Sequence, residues 1–360
     1  MTRRQRLAEY YAPSAYGTHI YWGAANGRNI YIDPDQIAAR LASRQKLSGF
    51  ERAFVNTETL SDRLGNRYSA VFLNRELLGV KPPHLVLPPL TGTHQDELFA
   101  YRLRLLAANR PDELIVAVDP LGHGASSNPS AEIRSETVRT GSFMFEGRLL
   151  ASALIEAGIC PRRITAFSKN SRHAFGLAAH LPAEAVESMA VFDPVGSTRF
   201  SYSQIVKAFL IDEMRHDRLY VSFSTDQYEL EIRARRSSLS ARLGKAASYL
   251  AGLEKIANNY LHIPRALSKG ARRPDLVFGA PIAREIAAAM NRQSKMCLNY
   301  VWFKDSHLKL PKHESSLIRQ LSLVYGNRFR PLTLEATHAV LSGNAALGQT
   351  IIDLAYGQVP

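Results

Sequence analysis

From residue 84 to residue 195, short apolar runs alternate with stretches whose apolar residues recur at helical spacing. No other feature limits the folding of this chain so tightly. HLVL (84–87) precedes the helical pattern DELFAYRLRLLAAN (96–109). ELIVAVD (113–119) precedes FEGRLLASALIEAG (145–158), and RITAFS (163–168) precedes SRHAFGLAAHL (171–181). SMAVFDPV (188–195) closes the series. Strand and helix in this alternation build a parallel sheet with helices on both faces. Parallel strands buried on both sides read as continuous apolar runs, as these do.

The alternation stops after Val195, and residues 199–273 read as helical, with 14 Lys and Arg against 7 Asp and Glu. Strand-like sequence returns at MCLNYVWF (296–303), followed by a helix, LIRQLSLVYG, a strand, RPLTLEA, and a last helix, NAALGQTIIDLAYG. Strands on both sides of the helical interval make it an insertion into the sheet. The expected division is an N-terminal extension (1–52), a core (53–196 and 291–360) and a helical cap (197–290). Within the extension, HIYWG and RNIYIDP flank Ala25-Asn26-Gly27 and predict a hairpin, with a helix to follow over 34–47.

Composition excludes several classes. With 360 residues, 46% of them hydrophobic, the chain buries a core without staples. Nothing approaches the run of about 18 apolar residues that a membrane-spanning helix needs. The two cysteines, Cys160 and Cys297, form no CxxC, so neither a zinc site nor a redox pair is expected. The N-terminal MTRRQRLAEYYAPSAYG has arginines but no apolar run behind them, and a cytoplasmic protein is expected. The net charge of +13 favours acidic partners. Basic balance alone does not make a nucleic-acid-binding protein, and none is expected.

Four segments, in order along the chain, carry chemistry. They are Val86-Leu-Pro88-Pro89-Leu90-Thr-Gly92, Asp119-Pro-Leu-Gly-His-Gly-Ala-Ser126, Ala166-Phe-Ser168-Lys-Asn170 and Ala336-Thr-His338. Together they resemble the α/β-hydrolase fold family over about residues 66–195 and 294–358. The second fits the family's D-x-x-G-x-G-x-S turn closely. The third stands at the place of the G-x-S-x-G nucleophile elbow, where a strand turns sharply into a helix and leaves a serine at its tip. Four departures are visible. Pro88-Pro89 replaces the family's His-Gly, Ala166 and Asn170 replace the elbow glycines, Lys169 and Asn170 form a large pair, and the acid is displaced.

The resemblance implies Ser168 as nucleophile, with Ser171 as a rival whose flanks Lys169 and His173 are bulky. An ordinary helix-capping serine is the alternative. His338 precedes the last helix, where the fold delivers its base, and His123 reads as part of the turn. The carboxylate is expected at Asp305 in Trp302-Phe-Lys-Asp305-Ser-His307-Leu-Lys-Leu-Pro311, although alignment on Pro311 would place His307 there. Asp193 is a second place where relatives keep the acid. By the resemblance the oxyanion donors would be the backbone N–H groups of Leu90 and Lys169; Pro88 and Pro89 themselves cannot serve, because proline has no N–H.

These expectations lead to a serine hydrolase cleaving an ester or related acyl bond in a small molecule, with neither metal nor cofactor. The positive charge of the cap reads first as a solvated face, with an anionic substrate as the alternative. Acyl transfer is an alternative, from the likeness of PLTGTHQ to a segment of homoserine acetyltransferases. A non-catalytic binding protein on the same scaffold is another, because of the four departures. The fold alone does not choose among them.

Overall fold

The computed structural model describes residues 21–24, 29–31, 57–89, 93–94, 97–198, 200–210, 234, 262–270, 281–303, 306–334, 338 and 345–357. Its strands are β1 (Tyr21–Ala24), β2 (Asn29–Tyr31), β3 (Thr57–Ser61), β4 (Arg67–Leu73) and β5 (His84–Leu87). They continue with β6 (Ile115–Val118), β7 (Arg163–Phe167), β8 (Ser188–Phe192), β9 (Cys297–Phe303) and β10 (Phe329–Leu334). All ten lie in one sheet in the order β2-β1-β10-β9-β8-β7-β5-β6-β4-β3.

From β6 across to β10 every neighbouring pair is parallel, and an antiparallel pair closes each edge. The hairpin expected in the first 50 residues forms, and its first strand pairs with β10, so it extends the core sheet. The helix expected over 34–47 lies outside the described residues.

Each apolar run is divided between the two faces by strand alternation. Leu85, Val116, Ile164, Ala166, Met189 and Val191 face one core, while Val86, Ile115, Phe167, Ala190 and Phe192 face the other. The first core is roofed by α3 (Met144–Glu156), α4 (Asn170–His180), α7 (Pro281–Arg292) and α8 (Pro311–Tyr325). The second is roofed by α1 (Glu97–Asn109) and α9 (Ala345–Ala355). Helix α7 starts inside the interval expected as cap, yet Ile282, Ala283, Ile286, Ala289 and Met290 are buried in the first core. Two further helices of that interval, α5 (Tyr202–Leu210) and α6 (Ile263–Gly270), pack with Phe143, Val195 and Leu308 in a separate apolar cluster. Near them runs α2 (Ala131–Thr140), capped by Ser130 Oγ on Ile133 N at 3.3 Å.

The connection from β5 runs to β6 on one side, whereas β7 lies on β5's other side and the chain continues away from it to β8. Such a reversal opens a crevice at the carboxyl ends of β5 and β7, the place where open α/β sheets bind ligands. Ser168 follows β7 and Pro88 follows β5, so both border it.

Helices α3 and α4 cross at a pair of glycines. A Cβ on Gly147 would meet Leu177 N at 2.6 Å and Gly176 Cα at 2.7 Å, and one on Gly176 would meet Met144 Cα at 3.0 Å. The obstacles are backbone atoms, which cannot swing aside. Gly147→Ala is therefore expected to lower the unfolding free energy by about 3 kcal/mol. A urea midpoint close to that of the parent chain would mean that the two helices can move apart at little cost.

Candidate active site

Strand β7 ends at Phe167 and α4 begins at Asn170, so the chain reverses within two residues. Ser168 takes the reversal at φ +53, a conformation that costs a non-glycine residue roughly 1–3 kcal/mol. It is held there by its own N–H, which donates to Phe192 O of β8 at 2.8 Å. Ser171 N donates to Ser168 O at 3.2 Å and starts the helical turn. The Ser171 hydroxyl points inward to Ala166 O at 3.2 Å and is fully buried. Of the two serines, Ser168 is the one at the tip.

Two of the departures from the family pattern have a physical account. Ala166 is buried in the first core and leaves room for α4. Asn170, too large for a simple close approach, reaches across the crevice and donates its Nδ2 to Pro88 O at 2.5 Å. The carbonyl of the Pro-Pro segment thus ties the end of β5 to the elbow. As the first residues of a helix, Lys169 and Asn170 have backbone N–H groups with no partner inside it. Leu90, the other expected donor, lies outside the described residues.

The turn Asp119–Ser126 is structural. Asp119 Oδ1 accepts from His94 N at 3.0 Å, and its other oxygen accepts from the Thr93 hydroxyl. Ser126 Oγ donates to Asp119 O at 2.6 Å and accepts from Ser69 N at 2.9 Å. The turn therefore fixes the segment after β5 against β4. Gly124 sits at φ +46, and a Cβ there would overlap the Asp119 carboxylate. His123, buried with Nδ1 at 3.2 Å from Leu121 O, belongs to this turn, as expected.

His338 is buried, and its Nδ1 lies 2.5 Å from Asp193 Oδ2. Asp193 follows β8 and, like Ser168, leaves its strand left-handed, at φ +48. Because Phe167 pairs with Phe192, Ser168 and Asp193 are successors on adjacent strands, spaced about 4.8 Å apart in the sheet. Asp305 lies outside the described residues; the carboxylate on His338 Nδ1 is that of Asp193.

Asp193 is fully buried and well supplied with partners. Its N–H donates to Val301 O at 2.7 Å, and its Oδ1 receives Phe303 N at 3.3 Å and Lys309 Nζ at 3.0 Å. Burial opposes the charged form, but the Lys309 ammonium and the hydrogen-bonded His338 outweigh it and hold the carboxyl below its ordinary range. Lys309 also meets Glu314 Oε1 at 2.9 Å, and Glu314 accepts from the Tyr300 hydroxyl at 2.7 Å and from the Ser197 hydroxyl.

A second polar cluster lies under α3 and α4. Lys169 is buried with Nζ 5.5 Å from the Phe143 ring centroid, and burial lowers its proton affinity to a pKa of about 8, against the pull of Glu146. Burial also works against the Glu146 carboxylate, but His173 at 2.9 Å, Lys169 and the Thr137 hydroxyl at 2.8 Å bring it to about 2. Burial, then the Lys169 charge, takes His173 to about 4. Beside them Arg172 forks onto Glu285 with two contacts of 2.6 Å. Glu285 also accepts from Ser142 Oγ at 2.6 Å and Phe143 N at 3.0 Å.

No protein-family model matches the chain, and a search of curated proteins finds no match. Solved structures do match. 1H-3-hydroxy-4-oxoquinoline 2,4-dioxygenase is similar over 84% of this chain and 98% of that chain, with 13% identity and a TM-score of 0.50. MGS-M2, an alpha/beta hydrolase enzyme from a Medee basin deep-sea metagenome library, covers 82% of this chain and 96% of its own, at 12% identity and a TM-score of 0.48. A haloalkane dehalogenase DbeA-M1 loop variant from Bradyrhizobium elkanii covers 84% and 97%, at 15% identity and a TM-score of 0.48. At these identities the likeness is one of fold. With the strand order above, it gives this chain the α/β-hydrolase fold.

Breaking a buried ion pair by removing one partner strands the other charge. Arg172→Met leaves Glu285 with only neutral donors and is expected to cost about 3–5 kcal/mol of stability. Thermal and urea unfolding would read it. A loss below about 1 kcal/mol would mean that Ser142 and Phe143 N–H suffice for the carboxylate.

Proposed function

We propose that the chain is a serine hydrolase cleaving a carboxylic ester or related acyl bond, with Ser168 as nucleophile, His338 as general base and Asp193 as the supporting carboxylate. The observation that carries this reading is the 2.5 Å contact between His338 Nδ1 and Asp193, one strand away from a left-handed Ser168. Serine needs a base to become a nucleophile at neutral pH, and a base needs its other nitrogen held. Here Asp193 holds Nδ1, so in this reading the proton of Ser168 goes to Nε2.

In this reading Ser168 Oγ attacks the acyl carbon while His338 takes its proton. The tetrahedral oxyanion is received by the Lys169 N–H and by the Leu90 N–H after β5. Its collapse breaks the bond to the leaving group, which departs with the proton from His338, and the acyl group stays on Ser168. Water, deprotonated by His338, then attacks the acyl-serine and frees the acid. Asp193 keeps its charge throughout and stabilises the imidazolium. The substrate is a small acyl compound, and the basic interval 199–273 favours one with an anionic group.

Hydrolysis of short p-nitrophenyl esters tests the reading. Ser168→Ala and Asp193→Asn are each expected to lower kcat/KM by about 10³–10⁴. Asp305→Asn is expected to leave it close to that of the parent chain. The reverse order for the two aspartates would return the acid to Asp305. Turnover untouched by Ser168→Ala would end the proposal.

A further inference from the structure

Lys309 precedes Pro311, the first residue of α8, in the loop after β9, and Glu314 lies in the first turn of that helix. Both are buried, Lys309 at 3% exposure and Glu314 at 0%. Lys309 Nζ stands between two carboxylates, 3.0 Å from Asp193 Oδ1 and 2.9 Å from Glu314 Oε1, and 5.4 Å from the Tyr300 ring centroid. Charges so far from water persist only when paired and hydrogen-bonded. Here each has partners: His338 and Phe303 N for Asp193, and the Tyr300 and Ser197 hydroxyls for Glu314.

We propose that Lys309 and Glu314 extend the Asp193–His338 pair into one chain of alternating charge, and that this chain sets how tightly His338 holds its proton. The signs follow from the order. Asp193 favours the imidazolium, Lys309 disfavours it from the next position, and Glu314 cancels much of the lysine's effect from the position after. Lys309 alone would neutralise the carboxylate that supports the base; with Glu314 the site keeps a net negative charge. Lys309 also occupies Oδ1, which leaves Oδ2 to His338. The charged and titratable groups along the chain are Asp193 after β8, Lys309 in the loop, Glu314 on α8, Tyr300 on β9 and His338 itself. Lys309 and Glu314 are positioning residues, since they act on the base through Asp193. The catalytic consequence rests on the hydrolase reading, while the charge relation does not.

The test follows the His338 imidazole Cε1–H signal against pH by NMR in the full chain, with His338→Gln identifying the signal among the 11 histidines. Lys309→Met removes the nearer positive charge, so the titration midpoint is expected to rise by about one pH unit. Glu314→Gln removes the farther negative charge, and the midpoint is expected to fall by about half a unit. The double variant should lie between the parent chain and Lys309→Met. In the hydrolase, the acid limb of kcat/KM should move with the midpoint in each variant. If Lys309→Met does not fold, the fall in Glu314→Gln decides alone. Shifts of the same sign in the two single variants, or no shift, would overturn the proposal, because a merely structural role changes yield and stability without opposite movements. Opposite shifts in a chain that cleaves no ester would uphold the charge relation and reject the hydrolase reading.

Discussion

The Asp193 carboxylate is where four parts of the chain meet. Strand β8 carries it, β9 donates Phe303 N–H to it, the loop before α8 sends Lys309, and the segment before α9 delivers His338. A fully buried carboxylate without these partners would be costly, so its burial requires all of them together. These contacts hold Lys309 and His338 at the carboxyl edge of the sheet. The strand pairing that fixes Asp193 also fixes Ser168, through Ser168 N to Phe192 O. Ser168 and Asp193 are thus placed by one parallel register.

Much of the sheet was legible from the apolar runs. HLVL, ELIVAVD, RITAF and SMAVF are the strands β5 to β8, and the helices between them fall where 3.6-residue spacing returns. Less legible were β3, whose TETLS is mostly solvent-facing, and α2, which buries only Ile133 and Thr137. Such elements lack the continuous or periodic apolar signal that marks the others. Helix α7 begins in the interval that reads as cap, since strand-type sequence resumes only after it, and its apolar face packs in the first core. The hairpin of β1 and β2 was legible as a hairpin, but its place beside β10 was not, since pairing across some 300 residues leaves no local trace.

In the site, Ser168 could be read from its place between strand and helix even though the elbow glycines are absent. Asn170 looked like a defect and is instead a tie to Pro88 O. The resemblance points to Asp305, past the strand that follows the insertion. The signal that points to Asp193 is the VFDP sequence, where an acid follows the strand next to that of Ser168. Lys309 and Glu314 had no legible role in sequence. A lysine five residues before a glutamate around a helix start ordinarily reads as a solvated pair, and only burial shows otherwise.

The proposed chemistry needs Ser168 to be the reactive hydroxyl. Treatment of the full chain with a fluorophosphonate, followed by intact mass and peptide mapping, measures this directly. One phosphonyl group should be found, on the peptide containing Ser168 and on that residue, and none on the Ser168→Ala variant. An adduct on Ser171 instead, or no adduct on any serine, would contradict the account.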